Sequence, residues 1–155
     1  MNFDVIKAYL AESGYGDRVM QFEVSSATVE LAAQAVGCEA ARIAKTISFL
    51  THEGALLIVA AGDVKVDNGK FKARFAQKAK MIPFDMVEEL TGFKLGGVCP
   101  FCAKDGVAVY MDESLKRFDV IYPAAGSSNS AVRLSVDELF NLSRALGWVD
   151  VTKPV

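Results

Sequence analysis

The chain has 155 residues, 52% of them hydrophobic and 23% charged, with a formal net charge of -2. That is enough apolar material for the core of one domain spanning residues 1–155, and it argues against a disordered chain. The charge balance excludes a protein that coats duplex DNA, which needs a strongly basic face, but not one that grips only the end of a nucleic acid.

In chain order, "MNFDVIKAYL" carries Asp4 and Lys7 and reads as an amphipathic helix over 3–12, not as a secretory leader. Its apolar stripe is Phe3, Ile6 and Leu10, widened by Val5 and Tyr9. "SGYGD" breaks it, "RVMQFEV" reads as a strand, and "TVELAAQAVG" as a helix closed by Gly37. "ARIAKTISFLTHEGALLIVAAGD" reads as two strands joined at "HEG", the second apolar enough to be buried on both faces. Its run "ALLIVAA" is far short of the roughly 20 residues that span a bilayer, so no membrane partner is expected.

Residues 65 to 80 change character: Lys65, Lys70, Lys72, Arg74, Lys78 and Lys80 face one acid, Asp67. This segment of charge +5 leaves -7 for the rest of the chain, and it reads as a turn at "VDNG" followed by a helix. "PFDMVEELTG" is a short acidic helix ended by Gly92, and the glycine loop "GGVCPFC" follows. Then come a strand "GVAVYMD", a helical turn "ESLKRF", a strand "DVIYPAA", a loop "GSSNSA" and a short strand "VRL". Ser135 with Glu138 three residues on is a capping-box pattern that opens the last helix, and "GWVDVTKPV" ends the chain. With no repeat or linker, the elements add up to one α/β (α+β) domain with a mixed sheet.

The three cysteines, Cys38, Cys99 and Cys102, are few and odd in number, which points to a reducing cytoplasm. With His52 they are too scattered for a four-ligand zinc site, so no metal is expected. A redox pair normally opens a helix, whereas a turn and a strand follow "CPFC", so buried thiols are the plainer reading. The glycines carry more. Gly96 and Gly97 permit unusual backbone angles and close approach of a ligand, and Pro100 stiffens the loop's exit. Such a loop is either a simple tight turn or a cradle of N–H groups for an anion or a developing oxyanion.

One histidine, His52 beside a turn, leaves little room for a Ser-His-Asp set, and no phosphate- or dinucleotide-binding loop is present, so no cofactor is expected. Lys45 stands out because it lies between Ile43 and Ile47 on one face of a strand. A lysine there either protects a sheet edge or points into a pocket, where it would need an anionic partner.

"AKTISF" with Lys45, "GGVCPF" with Gly96 and Pro100, and "YPAAGSSNSAVRLSVDEL" occur in an order and at separations similar to the YbaK/ProX family of aminoacyl-tRNA deacylases. The stretch "DESLKRFDVIYPAAGSSNSAVRLS" resembles its free-standing branch, and the likeness covers most of the chain. The resemblance implies a strongly curved, barrel-like mixed sheet surrounded by helices, and hydrolysis of the ester between a wrong amino acid and the tRNA 3′ end. It implies that the signature lysine is Lys45, that the G-x-x-x-P loop runs from Gly96 to Pro100, and that the later glycine loop is Gly126 with Ser127 and Ser128. Cys102 departs from the small residue, such as glycine, expected just after the G-x-x-x-P loop.

On this reading Lys45 holds the terminal phosphate or ribose, and the Val98 and Cys99 N–H groups face the ester carbonyl. Thr46, Gly97 and Pro100 shape the substrate site, and Phe22 with the 126–130 loop forms the walls that choose the amino acid. Lys65, Lys70, Lys72 and Arg74 would contact the acceptor stem of a mischarged tRNA, with an aminoacyl-tRNA synthetase as a further partner. The rival readings are a non-catalytic tRNA- or synthetase-binding module of the same fold and a thiol-redox protein using Cys99 and Cys102.

Overall fold

A computed structural model of the chain describes residues 3–155. Helix α1 (Phe3–Glu12) buries Ile6 and Leu10 completely, while Val5 lies outside the stripe and is exposed. Strand β1 (Val19–Gln21) is shorter than its sequence implies. The Phe22 N–H donates to the Asn129 carbonyl and Ser26 N–H to that of Ser128, so the chain beyond β1 follows the 126–130 loop without forming a ladder. Helix α2 (Val29–Val36) starts on Thr28, whose hydroxyl accepts the Leu31 N–H at 3.1 Å, and stops at Gly37 with φ +84°.

Strands β2 (Ile43–Thr51) and β3 (Gly54–Ala61) form the expected hairpin, paired from Ala44 with Ala61 to Thr51 with Gly54. Short β4 (Val64–Val66) leads into helix α3 (Asn68–Phe75), capped by Asp67, and helix α4 (Val87–Thr91) ends at Gly92. The glycine loop then joins β5 (Ala108–Asp112). Beyond a 3-10 turn at Glu113–Arg117 come β6 (Val120–Pro123), β7 (Ser130–Val132) and β8 (Leu134–Ser135). The strand expected at "VRL" therefore begins two residues earlier and is broken at Arg133. Helix α5 (Val136–Leu142) carries the capping box of Ser135 and Glu138. Two short strands, β9 (Trp148–Val149) and β10 (Thr152–Pro154), complete the chain.

The main sheet is mixed and six-stranded, in the order β8-β6-β2-β3-β5-β9. Separate two-stranded ladders pair β1 with β7 and β4 with β10, and the main sheet takes the curled form expected. Strand β3 is buried on both faces. Leu57 and Val59 face the main core with α1, α5, Phe93 and Phe101; Leu56 and Ile58 face a second core with Phe49 and Phe71 of α3. Buried Asp112 accepts hydrogen bonds from Ser114 N, Val151 N and Thr152 Oγ1, so its charge is satisfied while it ties the chain end to β5. No helix among the described residues is long and apolar enough to cross a membrane.

Candidate active site

Strand β2 is interior, so Lys45 does not guard an outer edge of the sheet. Its parallel ladder with β6 nevertheless covers only Ile43 with Tyr122 and Ala44 with Pro123. Proline has no N–H to continue the ladder, and the chain departs at Pro123 into the 124–130 loop. Further along the same edge, residues 80–82 take over: Leu50 N donates to Lys80 O at 2.8 Å and Ile82 N to Ser48 O at 3.2 Å. Between these two partners the edge is open at Lys45–Ile47, and a cavity of about 130 Å³ lies beside that opening.

The cavity gathers residues from four places. Strand β2 contributes Ile43, Lys45 and Thr46; the glycine loop, Gly96 and Val98; the later loop, Ser127 and Ser130; and α2 with its lead-in, Ser26 to Val29 and Ala32. Lys45 is the one charged side chain among them. Its ammonium donates to the Val64 carbonyl. Burial pulls its pKa below the ordinary lysine value, against the opposing pull of Asp63 and then Glu30.

The glycines have separate reasons to be glycine. Gly96 has φ +80° and packs toward Ser128, where an added Cβ would meet the Ser128 Cβ at 3.4 Å. On Gly97 an added Cβ would lie 2.9 Å from the Gly126 carbonyl oxygen, so the two glycine loops touch backbone to backbone. Behind them, Cys99 and Phe101 are fully buried in the main core and anchor the loop. Among the described residues, the Val98 and Cys99 N–H groups donate to no other group of the chain. Val98 lines the cavity; Gly97, Cys99 and Pro100 are buried and do not line it.

The cysteine sulfurs are arranged for packing. Burial pushes the Cys99 thiol up to about 12, with its Sγ 3.6 Å from the Phe101 carbonyl, the opposite of an activated thiol. Cys102 has φ +58°, the left-handed region glycine favours, which accounts for the expectation of a glycine there. Burial raises its thiol pKa as well.

In the later loop, Ser127 Oγ lies 2.8 Å from both Asn129 Oδ1 and Ser130 Oγ. Gly126 and Ser128 stand behind this cluster against the glycine loop. Phe22 does not line the cavity; its backbone exchanges hydrogen bonds with Asn129 and so braces the loop from outside. The wall that sequence reasoning missed is α2 with Ala27, Thr28 and Val29, together with Tyr122 and Ala124. The Thr28 cap and the alanine-rich helix after it were the available signal.

Of the basic residues, Lys65 and Lys72 are exposed. Lys70 is spent on Asp150 at 3.0 Å and on the Thr152 carbonyl. The Arg74 guanidinium lies 5.0 Å from the Phe75 ring and 5.2 Å from that of Tyr110. On the face of β2 that carries Lys45, Ile43 packs against α2 and Phe49 against α3, so the basic helix flanks the site. Two larger cavities, of about 410 and 440 Å³, lie by Cys102 and Arg144 and by His52 and Arg74, and neither is lined by Lys45, Gly96 or Ser127.

A model of the aminoacyl-tRNA editing domain matches residues 23–142. The chain is 44% identical over 154 residues to the uncharacterized protein YwhH of Bacillus subtilis (strain 168), covering 99% of this chain and 98% of that one. Among solved structures it is similar to a candidate trans-editing enzyme for prolyl tRNA synthetase, with TM-score 0.86 and 30% identity over 97% of this chain and 96% of the other. It is also similar to a protein from work on grafting epitope backbones onto scaffolds, with TM-score 0.87 and 27% identity over 99% and 97% of the two chains. The match over most of the chain and the cavity formed by its lysine and glycine loops lead to one conclusion: this chain belongs to the aminoacyl-tRNA editing domain family.

Proposed function

We propose that this protein is an aminoacyl-tRNA deacylase that hydrolyses the ester of mischarged tRNA in trans. The observation that carries the reading is the convergence of Lys45, Val98 with its unspent N–H, and the Ser127–Ser130 pair on one small cavity. An aminoacyl ester is already activated, so the protein need not supply a strong nucleophile. Lys45 holds the terminal phosphate or ribose and fixes the ester. The Val98 and Cys99 N–H groups face the carbonyl oxygen, and each such donor is worth about 3 to 4 kcal/mol in the barrier. Water adds to the carbonyl carbon, helped by the neighbouring ribose hydroxyl; the C–O bond then breaks, and the free amino acid leaves a tRNA 3′ hydroxyl.

The apolar walls Ala27, Val29, Ala32 and Ile43 and the volume of about 130 Å³ suit a small side chain. Lys65, Lys72 and Arg74 offer contacts to the acceptor stem, while Lys70 holds the chain end. A synthetase partner and a cytoplasmic setting fit an enzyme that acts on freshly charged tRNA.

The test is deacylation of a panel of tRNAs, each carrying several amino acids. The wild type should release a small amino acid from a mischarged tRNA, and Lys45→Ala should abolish that release while the circular dichroism spectrum stays unchanged. Wild-type hydrolysis by Lys45→Ala would sink the mechanism. Tight tRNA binding with no release by the wild type, across the panel, would favour the non-catalytic module.

A further inference from the structure

The turn between β3 and β4, residues 62–63, is fastened from three sides. Gly62 N donates to Ala41 O at 3.4 Å, and an added Cβ would meet Ala40 O at 2.0 Å, so this position accepts only glycine. The Asp63 carboxylate takes the fork of Arg117, Nη1 to Oδ2 at 3.0 Å and Nη2 to Oδ1 at 2.6 Å. Arg117 is itself set by its Nε donating to the Ser114 carbonyl, while Ser114 Oγ accepts the Ala61 N–H. The Val155 N–H closes on the Asp63 carbonyl at 3.1 Å. The next residue, Val64, supplies the carbonyl that holds the Lys45 ammonium.

We propose that the Asp63–Arg117 pair is a positioning device for Lys45, fixing where its ammonium sits and how much negative charge it meets. The inference rests on Lys45 being the working cation of the site, as read above. Both partners are about half exposed, so the pair adds little to stability. Its bidentate form instead gives direction, because a fork matched to a carboxylate fixes orientation as well as distance. The Val64 carbonyl is the sole hydrogen-bond partner of the Lys45 ammonium among the described residues, so a shift of the turn moves the ammonium with it.

The electrostatic half follows from the neighbours. The charged groups acting on Lys45 are Asp63 on the turn and Glu30 on α2, and Tyr122 of β6 shares the cavity. Arg117 partly neutralises Asp63. Its positive charge offsets part of the field of the Asp63 carboxylate at Lys45, which leaves the ammonium available to a phosphate or an ester. The segment "DESLKRF" thereby gains a role: its Ser114 and Arg117 brace the turn behind the lysine.

The two halves of the pair should therefore act oppositely on Lys45. In Asp63→Asn a negative neighbour is lost and Lys45 should titrate at lower pH. In Arg117→Gln the positive charge that offsets the Asp63 carboxylate is lost and Lys45 should titrate at higher pH. The titration is read directly from the Lys45 side-chain carbon and nitrogen resonances, so it does not depend on whether the protein deacylates anything. Both variants should also lower kcat by about tenfold or more, since small displacements of a positioning group are costly. The charge-preserving variants Asp63→Glu and Arg117→Lys should leave the titration near that of the wild type and still lower kcat.

Titrations that do not move, or that move the same way in both variants, overturn the proposal, as does full kcat in the charge-preserving pair. If Lys45→Ala keeps its deacylation while the opposite shifts are seen, the positioning stands and the catalytic reading of Lys45 fails.

Discussion

The open edge of β2 is used in two different ways over a few residues. From Ser48 to Leu50 it is closed by residues 80–82, and the facing side chain Phe49 is sealed against Phe71 with ring centroids 4.8 Å apart. From Lys45 to Ile47 no described residue pairs with it, because β6 ends its pairing at Pro123. The first stretch holds the sheet to α3 and to the 80–82 strap. The second leaves a gap in which a cation, two glycine loops and three serines meet. One strand thus has a sealed stretch and an open stretch, set by where its neighbours stop.

Substitutions in the two stretches should separate accordingly. The largest effect is expected from Phe49→Ala. Removing a fully buried aromatic ring should cost about 3–5 kcal/mol, a large part of the stability of a domain of this size. Urea unfolding would read that loss, while kcat per folded molecule should hold. A fall in kcat comparable to that of Lys45→Ala would show that the two stretches are coupled. Next is Gly97→Ala on the open side. Its Cβ would press on the Gly126 carbonyl, so the two loops must part by a few tenths of an ångström. That displacement should lower kcat about tenfold with a smaller change in the unfolding midpoint. A wild-type rate would mean that the contact between the loops is not part of the site.

Much of this was legible in the sequence because its signals are local. The α1 stripe, the β2–β3 hairpin, the Gly37 and Gly92 stops and the Ser135 capping box all act within a few residues. Lys45 could be singled out because a lysine flanked by isoleucines breaks an apolar face, and the glycine pair because adjacent glycines are uncommon without a backbone reason. The gap itself was not legible. It depends on Pro123 ending one ladder and on residues 80–82 starting another, and both are pairings over long sequence separations. The strands β9 and β10 are two and three residues long, too short for an alternating pattern to show. Phe22 was expected to help wall the pocket, yet its backbone is what ties it to the site region, through Asn129.

A smaller effect is expected at the loop's exit. Cys102→Gly would relieve a left-handed backbone, a conformation that costs a side-chain-bearing residue about 1–2 kcal/mol. Glycine also loses more freedom on folding, and the half-buried sulfur gives up its packing, so the net gain should be under about 1 kcal/mol. Deacylation should be unchanged, because Cys102 does not line the cavity. A loss of activity would place the exit of the loop, and not only its glycine end, in the working part of the site.

The smallest effect is a slope. Lys45 has a folded-state pKa below its unfolded value, chiefly through burial. Between those two values the unfolded chain holds more protons than the folded one, so stability rises with pH across that window. Lys45→Met keeps the length of the side chain and removes the charge, and with it this contribution to the rise. Unfolding midpoints measured from neutral pH up to the ordinary lysine range should climb less steeply in Lys45→Met than in the wild type, and the variant should be at least as stable at neutral pH. The same substitution at an exposed lysine such as Lys72 should leave the slope alone. If Lys45→Met were clearly less stable than the wild type at neutral pH, the ammonium would be supporting the fold through the Val64 carbonyl. The division between a stabilising stretch and a working stretch of β2 would then have to be redrawn to put Lys45 on both sides.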